Sequence, residues 1–313
     1  MIQTTPSVAG EFIPPLLRLS VVIVTYRSAG VIAQALRALP ASAEIIIVDN
    51  ASPDDTVAAA RAARPGAIIL EQPENRGFGA GCNAGIEAAT REFIVLLNPD
   101  GRIAVSALGT LVAAADAWPD AAILAPALLD DDGRPVRSWD AGQVRRRALA
   151  RNRKAEPWPS GPFCVDFVSG ACMLLRRTDG LRFDEGFFLY YEDDDLCAEA
   201  RARGRSIVVV PAARAGHAGG QSSAPSRRVA WRKAYHMAWS RLRYLDKHGG
   251  GVQAVGRLRH PEATGRLRHR EAMGRLRHHA VKALGHAVTL RGARVWADLA
   301  GFWGTLAWLR KRR

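Results

Sequence analysis

The sequence has few cysteines, and those it has are scattered. Its four cysteines, Cys82, Cys164, Cys172 and Cys197, form no C-x-x-C pair. Neither a zinc site nor a disulfide framework is therefore indicated. A reducing cytosol is the simplest compartment for such a chain.

The sequence also lacks the segments that mark export or membrane insertion. Residues 1–18 form a loose leader in which no basic stretch precedes an apolar core, so we expect no signal peptide. Near the other end, Val295 to Leu309 is interrupted by Asp298. It falls short of the ~20 apolar residues that cross a bilayer. We therefore expect a cytoplasmic protein.

Acidic residues are scarce in the last third of the chain. Residues 201–313 hold 25 Lys and Arg against 4 Asp and Glu, whereas residues 1–200 hold 19 against 26. This basic tail suits an anionic membrane surface, a polyphosphate or a nucleic acid as partner. It contains no interleaved surface aromatics and no recognised reading module, so nucleic acid is the least favoured of these partners.

Strands and helices alternate strictly through the first third of the chain. Four apolar runs predict strands: Leu19–Tyr26, Glu44–Val48, Ala67–Leu70 and Phe93–Leu97. The first two are expected to be buried. Three helices are predicted between the four strands: Val31–Leu39, Asp54–Ala63 and Asn83–Thr90. This alternation predicts an open α/β sheet with right-handed crossovers, covered by helices.

The predicted elements of the second half are sparser. Further strands are expected at Ala122–Pro126, Phe167–Arg176 and Ser206–Val210. The polar, Pro- and Arg-rich stretch Asp130–Pro159 is interpreted as a mobile loop over the site, because long loops without their own secondary structure are commonly functional.

Polar clusters follow three of the predicted strands: Thr25-Tyr26, Asp49-Asn50 and Asn98-Pro99-Asp100. In open α/β sheets, ligands bind beyond the carboxyl ends of the strands, so these clusters fall on one candidate edge. Each has a plainer interpretation as turn chemistry, and the glycine-rich loop at 77–81 is equally compatible with a flexible connector. Their combination in this order favours a functional site.

Four consecutive acids, Glu192 to Asp195, follow an aromatic run and open a predicted helix that ends at Gly204. The helix N-terminus keeps such carboxylates ionised, while their mutual repulsion acts the other way. An ionised carboxylate beside an aromatic surface is suited to act as a general base. The alternative is an acidic cap on a solvated helix.

Seven segments occur in a fixed order: SVVIVTY, IIIVDNAS, ENRGFGAGCNAG, FIVLLNPD, FVSGACMLLRR, FDEGFFLYYEDDDLC and HAGGQS. Together they resemble the family 2 glycosyltransferases of GT-A fold, especially the rhamnosyltransferase-like members that build bacterial cell-surface glycans. The resemblance implies a Rossmann-like α/β domain over residues 19–225, with a mixed, mostly parallel sheet and helices on both faces. Residues 19–101 would form its nucleotide-sugar half and residues 102–225 its acceptor half.

The resemblance also implies a reaction. A sugar, rhamnose being the favoured one, would pass with inversion from a dTDP- or UDP-activated donor to a hydroxyl of a cell-surface glycan or polyprenyl-linked acceptor. The family's nucleotide and donor-loop contacts fall on Thr25, Tyr26, Asp49, Asn50, Arg76, Gly77, Asn83 and Asn98. Asp49 can accept the imide N–H of uracil or thymine, and Arg76 can donate two bonds to phosphate.

The implied cofactor is a divalent metal, Mg²⁺ or Mn²⁺, with Asp100 and His217 as its protein ligands. The family's Asp-x-Asp signature begins here with Asn98, which leaves Asp100 as the main carboxylate. Mg²⁺ tolerates this, since it keeps waters and binds phosphate oxygens directly.

The acceptor side is implied in the second half of the chain. By resemblance Asp193 is the catalytic base, with Glu192 beside it holding the geometry of the site. With four adjacent acids the assignment can slip by one residue. Ser169, Gly170 and Asp195 fall where the family meets its acceptor. Two alternatives remain: a non-catalytic protein that binds nucleotide sugars or polyanions, and a nucleotidyltransferase, which the absence of an early glycine-rich signature with a phosphate-facing Lys disfavours.

The remaining residues, 226–313, are predicted to form a basic helical tail. An amphipathic helix is expected over Arg228–His248, its aromatics packing on the catalytic domain. A nine-residue repeat at 256–281 is interpreted as an insertion without a catalytic role, because its period is too short for a solenoid unit. The segment Val295–Leu309 suits either a helix lying in a membrane interface, giving peripheral membrane contact, or a core-packing helix with a solvated basic end.

Overall fold

The computed structural model describes residues 14–140, 158–217, 226–248, 272–283 and 292–311. The repeat up to residue 271, the leader up to residue 13 and most of the predicted mobile loop (141–157) lie outside the described residues.

The first half of the chain forms the predicted parallel sheet. Its strands are β1 (Leu19–Thr25), β2 (Glu44–Asp49), β3 (Ile68–Glu71) and β4 (Phe93–Leu97). They lie in the order β3-β2-β1-β4, all parallel. The helices between them are α1 (Ile32–Arg37), α2 (Thr56–Ala63) and α3 (Phe78–Ala88). The α/β class expected from the sequence is confirmed here.

The second half extends the same sheet with strands of both directions. After β5 (Gly101–Ile103) come α4 (Val105–Ala117) and β6 (Ala121–Leu129). Four two-residue strands follow: β7 (Pro135–Val136), β8 (Trp139–Asp140), β9 (Phe163–Cys164) and β10 (Phe167–Val168). Then come β11 (Cys172–Arg176), α5 (Glu192–Ala202) and β12 (Ser206–His217). β11 is antiparallel to β4 and β6, whereas β12 is parallel to β6, so the sheet is mixed.

Helices cover both faces of the sheet, as the apolar strands require. Every residue of β1 is buried. Val21 and Ile23 pack in a core with side chains of α1, α2 and α4. Val22 and Val24 pack in a second core with side chains of α3 and α5. A continuous apolar run thus marks a strand whose alternate side chains enter two separate cores.

The structure departs most clearly from the predicted boundaries in the following three places. The expected strand Phe167–Arg176 is two strands, because β10 pairs with β8 in a separate small sheet and only β11 joins the main one. The strand predicted over Ser206–Val210 continues to His217 through an irregularity after Val210. The helix predicted from Asn83 begins at Phe78, because glycines 79, 81 and 85 belong to it and let it approach its neighbours closely.

The C-terminal region is helical and packs on the part of the chain that contains the sheet. It contains α6 (Arg227–Lys247), α7 (residues 272–283) and α8 (Gly292–Arg310). Tyr244 of α6 is buried with Phe187 and Ala198. Two aromatics expected to pack on that part of the chain, Trp231 and Trp239, instead contact α8 and the cluster formed by α7 and α8. None of the helices in the described ranges combines the length and apolarity needed to cross a membrane.

Helix α8 packs on one side and is exposed on another. Ala300, Thr305 and Trp308 are buried, so one side packs in a core. Trp296 and Trp303 remain 46% and 47% exposed. The helix is therefore a packing element that also presents aromatic side chains to the exterior.

Candidate functional site

The polar residues at the strand ends meet on one edge of the sheet, as the sequence predicted. Thr25 and Asp49 are aligned partners at the ends of β1 and β2. The Asn50 amide donates to the Thr25 carbonyl at 2.9 Å, continuing the pairing beyond the strands. Asn98 follows β4, the strand on the other side of β1.

A cavity of about 320 Å³ opens at this edge. Five of the predicted donor-binding residues line it: Thr25, Tyr26, Asn50, Gly77 and Asn98. Asn50 Oδ1 is buried and has no hydrogen-bond partner among the described residues. An unsatisfied buried acceptor is costly to the protein, and a ligand donor would satisfy it.

Asp49 is buried beneath the cavity rather than in its wall. Its carboxylate accepts from Thr25 Oγ1 at 2.8 Å, from the Ser52 amide at 2.8 Å and from Ser52 Oγ at 2.6 Å. Asp49 therefore stabilises the turn after β2. This is the alternative to a ligand contact that the sequence analysis left open for it. A carboxylate has about four acceptor positions, so these bonds leave capacity for one more donor.

Gly77 brings the glycine-rich loop against the aromatic run. Its φ of 99° lies in the region that favours glycine, and a Cβ at this position would collide with the backbone of Phe188. Asn50 Nδ2 donates to the Gly77 carbonyl at 2.9 Å, and the Phe78 amide donates to the Phe188 carbonyl at 3.2 Å. Gly77 thus brings the edge of the sheet where the cavity opens into contact with the segment that precedes Glu192.

Arg76 and Asn83, two further predicted donor contacts, lie outside the cavity wall. Arg76 forms an ion pair with Glu185 at 2.5 Å, and its side chain is 55% exposed. Asn83 accepts from the Phe183 amide and donates to the Phe183 carbonyl, both at 2.9 Å. Both residues fasten the start of α3 to the segment 183–185.

The predicted metal ligands lie together. Gly101 and His217 are paired in the β5–β12 ladder, which brings His217 Nε2 to 3.6 Å from Asp100 Oδ1 and 3.1 Å from Asn98 Nδ2. Asp100 Oδ2 is buried without a hydrogen-bond partner among the described residues. A carboxylate and an imidazole fit a divalent ion that takes its other ligands from diphosphate and water. Larger His, Cys, Asp and Glu clusters are absent from the described ranges.

The four acids at the start of α5 differ in exposure. Glu192, Asp194 and Asp195 are buried, whereas Asp193 is half-buried. The amides of Gly170 and Asp194 donate to the two oxygens of Asp193, each at 3.0 Å. The expected corner at Ser169-Gly170 thus lies against Asp193, because the chain turns there between β10 and β11.

The approach to α5 is strained. Tyr190 and Tyr191 have φ values of 68° and 67°. Such angles cost a bulky residue roughly 1–3 kcal/mol, and strain of this kind is concentrated at functional sites. Tyr190 also lines the cavity. The two tyrosines therefore connect the cavity at the sheet edge to the four acids at the start of α5.

Glu192 and Asp193 occupy different electrostatic environments. Burial, and then the charges of Asp193 and Asp194, raise the pKa of Glu192 well above its usual range. Its Oε2 atom has no hydrogen-bond partner among the described residues.

Asp195 is joined to the C-terminal helix and does not line the cavity. Lys247 Nζ lies 2.9 Å from its carboxylate, and His248 Nε2 lies 2.7 Å from it. Sequence reasoning missed these partners, since about fifty residues separate them from Asp195 and no motif links them. It also missed Arg228, Arg232 and Lys233, which line the cavity. The basic, amphipathic character of α6 was the available signal.

The chain is similar to known proteins over most of its length. The family model described as "Glycosyl transferase family 2" matches residues 20–179. An N-acetylglucosaminyl-diphospho-decaprenol L-rhamnosyltransferase of Mycobacterium tuberculosis is 28% identical over 268 residues, which are 75% of this chain and 87% of that protein.

Two solved structures are similar in fold. The mannosyltransferase PcManGT of Pyrobaculum calidifontis, in complex with GDP-Man and Mn²⁺, superposes with a TM-score of 0.56 at 18% identity, over 95% of this chain and 88% of that one. TarS 1-349 of S. aureus, in complex with UDP-GlcNAc, gives 0.50 at 17% identity, over 94% and 92% of the two chains. Both are similar along most of their length, including the C-terminal region of this chain.

Proposed function

This chain belongs to glycosyl transferase family 2 and is a glycosyltransferase, and on that premise we propose that it transfers rhamnose from a dTDP- or UDP-activated donor to a lipid-linked or glycan hydroxyl. The observation that carries the proposal is the placement of Asp193, the half-buried acid of its cluster, three residues after Tyr190, which lines the cavity together with the expected donor contacts. The 28% identity to the mycobacterial rhamnosyltransferase supports the choice of sugar.

In the proposed reaction Asp193 accepts the proton of the acceptor hydroxyl. The acceptor oxygen forms a bond to the anomeric carbon from the face opposite the diphosphate. The bond from that carbon to the diphosphate oxygen breaks, and its electron pair leaves with the nucleoside diphosphate. The Gly170 and Asp194 amides hold the Asp193 carboxylate in place for this transfer, and fixed geometry is a large part of general-base efficiency.

The donor would bind to the residues that line the cavity: Thr25, Tyr26, Asn50, Gly77 and Asn98. Asp49 would support them through its hydrogen bond with Thr25. Arg76 and Asn83 would fix the glycine-rich loop and α3 to the segment 183–185. Asp100 and His217 would hold Mg²⁺ or Mn²⁺, which when bound neutralises charge on the leaving diphosphate. The buried, unpartnered Asp100 Oδ2 supports this assignment. Ser169 and Gly170 would face the acceptor, and Asp195 would act through α6.

We also propose peripheral contact with the cytoplasmic side of a membrane. Among the described residues, nine large apolar side chains are exposed, and five of these belong to the C-terminal helices: Met237, Met273, Val281, Trp296 and Trp303. Exposed apolar and aromatic side chains within a basic region suit an interfacial helix. A polyprenyl-linked acceptor would be presented at such a surface. Residues 19–225 would contain the catalytic residues. Residues 226–313 would complete the cavity and contact the membrane.

The direct test is transfer by the full chain. Wild type and Asp193→Asn would be incubated with Mg²⁺, dTDP-rhamnose or a UDP-sugar, and a polyprenyl-diphosphate-linked N-acetylglucosamine. Mass spectrometry should detect an acceptor heavier by one sugar with wild type, and a rate about 10²–10⁴-fold lower with the variant. Nucleotide binding without transfer or donor hydrolysis would favour the alternative, a non-catalytic nucleotide-sugar-binding protein.

A further inference from the structure

The cavity at the sheet edge has a one-sided charge. Four cationic residues line it, Arg27, Arg228, Arg232 and Lys233, and no Asp or Glu is among its described lining residues. Three of the four come from α6, outside the part of the chain that the family model matches. A concave surface lined by one sign of charge concentrates ligands of the opposite sign.

The α6 cations are available for a ligand. No carboxylate of the described residues forms an ion pair with Arg228, Arg232 or Lys233, although other cations of the same helix, Arg243 and Lys247, do form such pairs. Arg228 is exposed, whereas Arg232 and Lys233 are half-buried. Half-buried cations without a partner are costly to the empty protein, and that cost is removed when an anion binds.

Arg232 is held in place by aromatic rings. Its guanidinium carbon lies 5.3 Å from the centre of the Phe188 ring and 5.9 Å from that of Tyr26. His236 stacks on Phe188 at 4.5 Å, and burial, followed by the charge of Arg232, lowers the pKa of His236 to about 4. The neighbouring imidazole is therefore neutral at neutral pH, and the guanidinium is preorganised between the end of β1 and the segment before the acids.

The residues that line the opposite wall of the cavity indicate which anion would bind there. Tyr26, Asn50 and Asn98 line it together with Pro99, which directly precedes Asp100. The α6 cations thus share one cavity with the residues that the proposed function assigns to the nucleotide donor. A group with two linked phosphates would meet cations from α6 on one side and the sheet edge on the other.

We propose that Arg228, Arg232 and Lys233 form a diphosphate-binding site that α6 adds to the cavity. The inference rests on the proposed function. The diphosphate of the donor has the required chemistry, and so does that of a polyprenyl-linked acceptor; the shared cavity favours the donor. In the reaction these residues hold the diphosphate and stabilise the charge that develops on it as the sugar leaves.

The test is a binding series by titration calorimetry with Mg²⁺ present. The variants are Arg232→Gln, Lys233→Gln and their combination, and the matched control is Arg227→Gln, an exposed cation of the same helix that does not line the cavity. The ligands are dTDP, UDP, their monophosphates, farnesyl diphosphate and farnesyl monophosphate. Unfolding temperatures without ligand show whether each variant is folded, and Arg232→Lys restores the charge.

The double variant should bind the nucleoside diphosphate about tenfold or more weakly, since charge-assisted hydrogen bonds are lost. Its affinity for the monophosphate should fall less, and Arg227→Gln should stay within about twofold of wild type. A loss confined to farnesyl diphosphate would assign the same site to the acceptor. If wild type binds nucleoside diphosphates and the folded double variant binds every diphosphate equally well, this inference is wrong and the proposed function stands. If wild type binds no nucleotide, the proposed function fails as well.

Discussion

His248 Nε2 lies 2.7 Å from Asp195 Oδ1, so a buried acid of α5 is paired with the residue that caps the C-terminus of α6. Lys247 reaches the other oxygen of the same carboxylate at 2.9 Å. The side chain of Asp195 is 2% exposed and that of Lys247 is 37% exposed. The carboxylate therefore depends on α6 for its compensating charge.

The first prediction concerns this contact. Lys247→Met should lower the free energy of unfolding by about 1–3 kcal/mol, less than the loss of a fully buried partner because Lys247 is partly solvated. Urea denaturation measures the change. The control is Arg203→Gln, whose ion pair with Glu199 is exposed on α5 and should be worth no more than about 0.5 kcal/mol. Equal effects of the two substitutions would show that the buried carboxylate does not need Lys247.

The second prediction concerns the pH dependence of stability at Glu192. Its pKa in the folded protein is raised above the usual 4.5, mainly by burial. The folded state therefore binds a proton that the unfolded state has released, and this group reduces stability as pH rises above about 4.5. Glu192→Gln should gain stability relative to wild type between pH 5 and pH 8.

Urea denaturation of both proteins at several pH values measures that difference. Glu199→Gln, a change at a half-buried and ion-paired acid of the same helix, provides the comparison. A constant difference between Glu192→Gln and wild type over this pH range would contradict a raised pKa. The comparison uses stability alone, so it holds whatever role Glu192 has in transfer.

The third prediction concerns the metal ligands. Stabilisation of wild type by dTDP or UDP, measured as a rise in unfolding temperature, should increase when Mg²⁺ or Mn²⁺ is added, because a ligand that binds only the folded state stabilises it. Asp100→Asn and His217→Ala should remove the metal-dependent part of the rise. Asp120→Asn, at a highly exposed acid, should keep it. A metal effect that survives in Asp100→Asn would place the ion elsewhere.

The fourth prediction concerns Gly77. An alanine there has to adopt a φ of 99° and collides with the backbone of Phe188. Gly77→Ala should therefore lower stability by about 2–4 kcal/mol, combining backbone strain with overpacking. Gly66→Ala is the control, since a Cβ there meets nothing within 4 Å. Thermal unfolding of both variants would decide, and similar midpoints would argue against this close approach.

Local patterns were sufficient to predict the parallel part of the sheet. β1, β2 and β4 are buried apolar runs, and the residues that follow such strands must meet at one edge. Two other contacts could be predicted only through the family resemblance. More than a hundred residues separate Asp100 from His217. The corner between β10 and β11, which places Gly170 against Asp193, has no distinctive turn sequence.

The contributions of α6 were beyond sequence reasoning for a physical reason. Arg232 and Lys247 look like ordinary solvated cations on an amphipathic helix, and their roles depend on what that helix packs against. Only the tertiary contacts with Phe188 and Asp195 distinguish them from their neighbours. The glycines of α3 were ambiguous in the same way, because their close approach to β1 is a property of packing rather than of the loop.

The contacts of α6 bear on the autonomy of the catalytic region. A fragment that ends at residue 225 would retain every motif of the family and would still be incomplete. Its cavity would lose the cations that α6 supplies, and Asp195 would remain buried without Lys247 or His248. On the proposed function, the unit that binds the donor extends at least through residue 248, well past residue 179, where the match to the family ends.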